Sequence, residues 1–326
     1  MGAKTGQSNG SLPIQRQSRL VPAIIQSASP NAARRFLEFF TAQIRNRNTR
    51  EAYSRALIDF LAWCDGRGYR LDQIAPICVA AYIEYLSTLY SPPTVKQHLA
   101  AIRMCFDWLV TGQIIPTNPA ASVRGPKYVV KRGKTPVLSA DEARQLLDSI
   151  DCSSLVGLRD RALIGTMIFT FARVSAVVNM SVQDYYQFGK RSWIRLHEKG
   201  GKFHEVPAHH KAQEFLDAYL SRAGFEPDSA TPLFRTAVGR SDVLTDLQLS
   251  RRDALRMVKR RVADARMSRK ICCHSFRATG ITAYLENGGT IEKAQAIAGH
   301  ESPRTTELYD RTNDDVTLDE IERILI

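Results

Sequence analysis

The sequence lacks a cysteine framework. Its six cysteines (Cys64, Cys78, Cys105, Cys152, Cys272 and Cys273) are scattered, and no C-x-x-C pair occurs among them. A disulfide scaffold is thereby excluded, and reduced thiols in a cytosolic protein are expected. Long hydrophobic runs are missing too. No stretch approaches the ~20 apolar residues a membrane span requires, and residues 1–29 hold no apolar segment of the signal-peptide kind. Gly6 stands where a myristoylation signal would need Ser or Thr, despite Gly2. Acidic charge is in short supply: 33 Asp and Glu face 45 Lys and Arg, a net charge of +12. That imbalance points to a polyanionic partner. Metal-ligand patterns are equally thin. Cys272-Cys273-His274 has no second pair at zinc spacing, and the adjacent His209 and His210 do not combine with His197 and His204 into a ligand face. Lys199-Gly200-Gly201-Lys202 does not meet the phosphate-loop pattern. Neither a metal nor a cofactor is expected.

What is present is ordinary globular material, 326 residues with 44% hydrophobic and 24% charged, enough for one large domain or two of usual size. Residues 1–29 read as a disordered tail. Residues 30–121 read as a small helical domain. Tyr53, Leu57, Phe60, Leu61 and Cys64 share one helical face, with Thr49 as the expected N-cap and Gly66 and Gly68 as the stop. Pro76 to Leu89 gives a shorter apolar helix. Another opens after Ser91-Pro92-Pro93, with Leu99, Ile102, Phe106 and Leu109 inward and Lys96 and Arg103 off that face. Residues 122–137 form a basic linker. Within it Arg124 to Pro136 carries five basic residues and no acid, and Lys127, Lys131, Arg132 and Lys134 would suit a strap along a phosphate backbone.

Residues 138–326 read as a second, mainly α domain with a small β-hairpin. Ser139 and Glu142 form a capping box, and Asp160 to Ala172 is an expected apolar helix. Trp193 to Leu196 and Phe203 to Val206 flank the Lys199 turn as two alternating strands. Arg251 to Lys270 holds nine basic residues and two acids. There Arg252, Arg256, Lys259 and Arg260 fall on one stripe suited to phosphates or a major groove.

Three basic clusters sit at element boundaries: Phe171-Ala172-Arg173-Val174-Ser175, Glu198-Lys199-Gly200-Gly201-Lys202 and His274-Ser275-Phe276-Arg277. With Ala298-Gly299-His300 and Thr305-Thr306-Glu307-Leu308-Tyr309 they make an ordered set of Arg, Lys, His-x-x-Arg, His and Tyr. In this set the chain resembles the tyrosine recombinase (phage integrase) family, its Xer-type two-domain members most closely. In the first domain Asn48-Thr49 with Tyr53, Leu57, Phe60 and Trp63 resembles the family's core-binding helix. Thr94, His98-Leu99, Ile102-Arg103, Trp108 and Asn118-Pro119 resemble its last helix and exit. The resemblance covers roughly residues 30–315.

The resemblance implies a helical core-binding domain and an α+β catalytic domain closing as a C-shaped clamp around duplex DNA. It also implies site-specific recombination through a 3′-phosphotyrosyl intermediate and a Holliday junction, without metal or ATP. The residue types fit. A phenolate can hold a phosphate as an ester and conserve its bond energy. Arg173 and Arg277 suit the charge that builds on the non-bridging oxygens. Lys199 would protonate the departing 5′ oxygen, His274 would exchange a proton near Tyr309, and His300 would orient the phosphate. Where many relatives carry an acid three residues after the first arginine, this chain has Ala176. No arm-binding domain is expected before Asn31. Val316, Leu318, Ile321, Ile324 and Leu325 form an apolar set on the last helix, to be buried in its own domain or in a neighbour's; in relatives it often docks on the adjacent protomer in a cyclic homo-tetramer holding two paired DNA sites. A cytoplasmic, nucleoid-associated location is implied as well. Two other readings remain at this point, a type IB topoisomerase-like nicking-closing enzyme and a DNA-binding protein whose catalytic site has decayed.

Overall fold

The computed structural model describes residues 21–129, 133–198, 203–226, 228–239 and 241–310. The chain divides into two compact units, Met1–Val129 and Val130–Ile326.

The first unit is helical among its described residues. The expected disordered tail over residues 1–29 is corrected for its described part, where Ala23–Gln26 form the short α1 and bury Ile24 and Ile25 in the helical core. After it come α2 (Pro30–Ala42), α3 (Arg47–Asp65), α4 (Pro76–Leu89) and α5 (Pro92–Thr111). Each start has a local reason. Ser29 Oγ accepts from the Ala32 amide at 3.0 Å with Pro30 at the first helical position, and prolines likewise open α4 and α5. The cap of α3 is Asn46 and not Thr49: its Oδ1 accepts from the amides of Asn48 and Thr49 at 3.0 and 3.2 Å. The short amide side chain reaches both unpaired donors, so the helix begins ahead of the threonine. Leu57, Phe60, Leu61 and Cys64 point inward as their spacing requires, and Phe60 packs edge-on against Phe106 of α5 with centroids 6.0 Å apart. Each such buried side chain contributes about 1.5–3 kcal/mol.

The second unit contains α6 (Ala140–Asp148), α7 (Leu155–Phe169), α8 (Val174–Val178), α9 (His210–Ala223), α10 (Arg251–Asp264), α11 (Cys273–Glu286), α12 (Ile291–Ala298) and α13 (Pro303–Glu307). Two antiparallel sheets accompany them. Strands β1 (Tyr185–Phe188), β2 (Arg191–His197) and β3 (Phe203–Pro207) form one in the order β1-β2-β3, and β4 (Arg235–Ala237) with β5 (Leu244–Gln248) the other. Ile194 pairs with Val206 and Leu196 with His204, so alternate β2 side chains enter the core. The capping box at Ser139 forms as its sequence requires.

Helix α7 begins earlier than Asp160, because Ser154 Oγ already caps it by accepting from the Gly157 amide at 3.0 Å. Asp160 lies inside the helix, fully buried. Its Oδ1 accepts from Arg159 Nε at 3.0 Å and Nη2 at 2.6 Å, and its Oδ2 from Arg260 Nη2 at 3.0 Å and Arg261 Nε at 2.9 Å. Removing that carboxylate would leave a buried guanidinium unpaired. Asp160→Asn is expected to destabilise the chain by about 3 kcal/mol, measured as a lowered unfolding midpoint in urea; an unchanged midpoint would refute it.

Helix α11 approaches the end of α7 closely. A Cβ on Gly280 would stand 2.1 Å from the Ile168 carbonyl oxygen and 2.6 Å from the Phe171 ring. Only glycine lets the helices meet there, and Arg277, one turn earlier on the same face, is thereby brought to the Phe171 carbonyl.

Candidate active site

Arg277 is 1% exposed. Its Nη1 donates to the Phe171 carbonyl and its Nη2 to that of Ala298 at 2.8 Å. Phe171 itself adopts a left-handed φ of 54°, a strained state for a bulky residue. It is held by its ring, which packs edge-on against Tyr284 in a small cluster with Ala278, Ile281, Ala298 and Tyr309. Burial and the charge of Arg173 push the Arg277 guanidinium down to about 10, which leaves it a cation at neutral pH.

Two residues after Phe171 the chain enters α8, with Arg173 as its N-cap residue. The Arg173 side chain is 42% exposed and meets Glu198 through Nη1–Oε2 at 2.7 Å. The two arginines therefore differ: one is locked in the core, the other lies at the rim.

His274 opens α11 one turn before Arg277. Its Nε2 lies 2.9 Å from Tyr309 Oη. Burial, and then the charges of Arg277 and Arg173, hold the imidazole below its ordinary range, so it is neutral at pH 7 and able to take a proton. Tyr309 is 8% exposed. Burial pushes its phenol above the usual value, against the pull of Arg277 and Arg173, so the resting state is the protonated phenol. The tyrosine lies just past α13, whose last residue is Glu307. Its amide donates to the Thr306 carbonyl at 2.9 Å, and its own carbonyl accepts from Thr282 Oγ1 at 3.1 Å.

His300 follows the αL cap Gly299, φ 60°, where glycine ends α12 without strain. Its ring lies parallel to that of Tyr309, centroids 6.0 Å apart, and its Nδ1 is 2.9 Å from Thr306 Oγ1. Burial, then Arg277, Arg173 and His274, press its pKa down to about 4.

The structure thus brings together Arg173, His274, Arg277, His300 and Tyr309. Lys199 lies outside the described residues, as do Lys131, Arg132 and the apolar set of residues 316–325. Thr306, Thr282 and Glu198 complete the site, and the sequence pattern assigns none of them a role. The signal for Glu198 was a lone acid beside Lys199. Thr306 and Thr282 carried none.

The basic residues expected to touch DNA divide into two groups. Lys96, Lys127, Lys134 and Arg252 are exposed. Arg103 donates to the carbonyls of Ala120 and Val123, Lys259 Nζ to those of Arg269 and Ile271 at 2.6 and 2.8 Å, Arg256 pairs with Asp253 and Arg260 with Asp160. Arg256, Lys259 and Arg260 are exposed as well, and all four of these side chains hold bonds within the chain. Among the described residues, no group of three or more His, Cys, Asp or Glu could hold a metal ion, and no helix is long and apolar enough to cross a membrane.

Comparison with known proteins gives this geometry a family. The phage integrase family model matches residues 136–315, and the phage integrase N-terminal SAM-like domain matches residues 33–115. The chain belongs to the phage integrase family. The tyrosine recombinase XerC of Myxococcus xanthus is 28% identical over 252 residues, 76% of this chain and 79% of the relative. The fold is shared with XerH site-specific recombinase bound to a palindromic difH substrate in a post-cleavage complex (TM-score 0.69, 18% identity, 97% of this chain and 89% of that one). It is shared also with a lambda integrase tetramer bound to a Holliday junction (TM-score 0.64, 18% identity, 95% of this chain and 85% of that one).

Proposed function

We propose that this tyrosine-type site-specific recombinase cuts a DNA strand with Tyr309 Oη as nucleophile. The Tyr–O–P bond forms as the P–O5′ bond breaks, leaving a 3′-phosphotyrosyl ester and a free 5′ hydroxyl, and reversal with a second strand's hydroxyl rejoins the backbone. Because the ester keeps the bond energy, no nucleotide is consumed. The observation that carries this reading is the 2.9 Å contact of Tyr309 Oη with His274 beside two guanidiniums.

Each side chain has a part. Neutral His274 takes the phenolic proton as the oxygen attacks. Arg277 and Arg173 hold the non-bridging oxygens, whose charge grows toward the transition state. His300, neutral and fixed by Thr306, orients the phosphate. Lys199 supplies the proton to the 5′ oxygen. The domain assignment is residues 30–121 for core binding, 122–137 for the linker and 138–326 for catalysis. Lys96, Lys127, Lys134 and Arg252, exposed cations, are the first DNA contacts to test. Two paired duplex sites are held by a homo-tetramer, with the apolar set of residues 316–325 docked on the neighbouring subunit, and the enzyme works in the cytoplasm with the nucleoid. The lambda integrase tetramer on a Holliday junction supports that assembly.

The test is a duplex nicked near the cleavage position, carrying the site that this chain enriches from a randomised DNA pool. A covalent protein–DNA adduct mapping to Tyr309 is expected; an adduct on another residue, or none, would refute the reading. The pH dependence has a definite sign. Protonating His274 removes the base, so the cleavage rate falls on the acid side with an apparent pKa below the ordinary histidine value of 6.5. Folding stability moves in the same direction. His300 is held near 4 in the folded chain against 6.5 unfolded, so the unfolded chain takes up the proton first and stability drops as pH falls through that window. A rate–pH profile with its acid limb above 6.5 would contradict the assignment.

A further inference from the structure

Among the described residues of the site, the cations surround a carboxylate, Glu198, with one oxygen that has no partner there. The Glu198 side chain is 10% exposed, and its Oε2 accepts from Arg173 Nη1 at 2.7 Å. Its Oε1 is buried with no hydrogen-bond partner among the described residues. Its Cγ lies 3.9 Å from where a Cβ on Gly299 would stand, next to His300. On the paired strand, His204 Nε2 meets the Ile297 carbonyl at 2.8 Å, so the chain is pinned to this side of the site both at Glu198 and at His204.

A buried acid with an orphaned oxygen is costly to keep. Beside a phosphate clamp it also repels the ligand. Arg173 explains its presence. That side chain is 42% exposed and faces the like charge of Arg277, so nothing else among the described residues holds it in register. Ala176, one turn further along α8, has no carboxylate to offer. Glu198 engages Nη1 and leaves the other N–H groups of Arg173 to face a phosphate.

We propose that Glu198 is the positioning residue of Arg173, setting its guanidinium for the transition-state phosphate at the expense of ground-state DNA affinity. The proposal rests on the recombinase reading. Its experiment compares the full-length chain with Glu198→Gln and Glu198→Asp on the same pool-selected, nicked duplex. Binding is read by titration, and single-turnover adduct formation at saturating protein. Glu198→Gln is expected to form adduct about 10–100-fold more slowly while binding the duplex at least as tightly, and Glu198→Asp to recover part of the rate. An unchanged rate for Glu198→Gln would overturn the proposal. So would a parallel loss of binding and rate with a lowered melting temperature, which is the mark of a merely structural role. If the wild-type chain forms no Tyr309 adduct, the recombinase reading fails first, and that outcome is visible in the control lane.

Discussion

Tyr309→Phe is expected to abolish the covalent adduct completely while leaving fold and DNA binding intact. The substitution removes one oxygen and keeps the ring. That ring packs with Phe171 and Ala298 and lies parallel to His300, contacts a phenylalanine preserves. The backbone of residue 309 keeps its bonds to Thr306 and Thr282. What is lost is the hydroxyl's contact with His274, about 0.5–1.5 kcal/mol for an ordinary hydrogen bond, so the melting temperature should move by only a few degrees. The neighbouring hydroxyls are engaged elsewhere, Thr282 Oγ1 with the Tyr309 carbonyl and Thr306 Oγ1 with His300 Nδ1, and His274 with no phenol to deprotonate has nothing to activate. Denaturing gels of the nicked-duplex reaction give the readout: an adduct band for wild type and none for the variant. A residual band would mean that another nucleophile reaches the phosphorus.

Five members of the candidate site could be listed from the sequence because the family resemblance supplies their order along the chain. Arg173, His274, Arg277, His300 and Tyr309 could be named because their order resembles that of the phage integrase family, and the geometry sets them side by side. Their partners could not. Arg277 is held by the carbonyls of Phe171 and Ala298, and main-chain oxygens leave no trace in residue type. The left-handed Phe171 has no glycine to announce it. Gly280 in an apolar helix looked like an ordinary small residue, and only the 2.1 Å that a Cβ would leave to Ile168 explains it.

Charge patterning leaves the partners inside the chain out of view. A one-signed stripe along α10 suggested phosphate contacts, yet Arg260 answers a carboxylate buried in a different helix, and Lys259 ties down the loop after its own helix. Periodicity sees neighbours on one helix and is blind to Asp160, a hundred residues away. Local signals failed where two competed. Thr49 and Asp160 are both good helix starters, but Asn46 and Ser154 come earlier and satisfy the first amides. Strands β1, β4 and β5 are short and half exposed, so their alternation never rose above the background.

Arg277→Ala is expected to slow adduct formation by about 10²–10³, the usual cost of removing one preorganised donor from developing negative charge. It should also cost stability, because two buried carbonyls, Phe171 and Ala298, lose their donor and each orphaned acceptor is worth about 1–3 kcal/mol. The lysine variant separates the two effects. Arg277→Lys keeps a positive charge in the same cavity, but a single ammonium has no planar fork to span both carbonyls while facing the phosphate. Cleavage by Arg277→Lys should therefore remain far below wild type. Arg173→Lys, at the exposed rim and bound to one carboxylate oxygen, should retain more. Comparing single-turnover rates of the two lysine variants, with melting temperatures alongside, tests whether the buried guanidinium works through geometry or through charge alone. Equal rates for the two would place the demand on charge, and the two-arginine clamp would lose its basis.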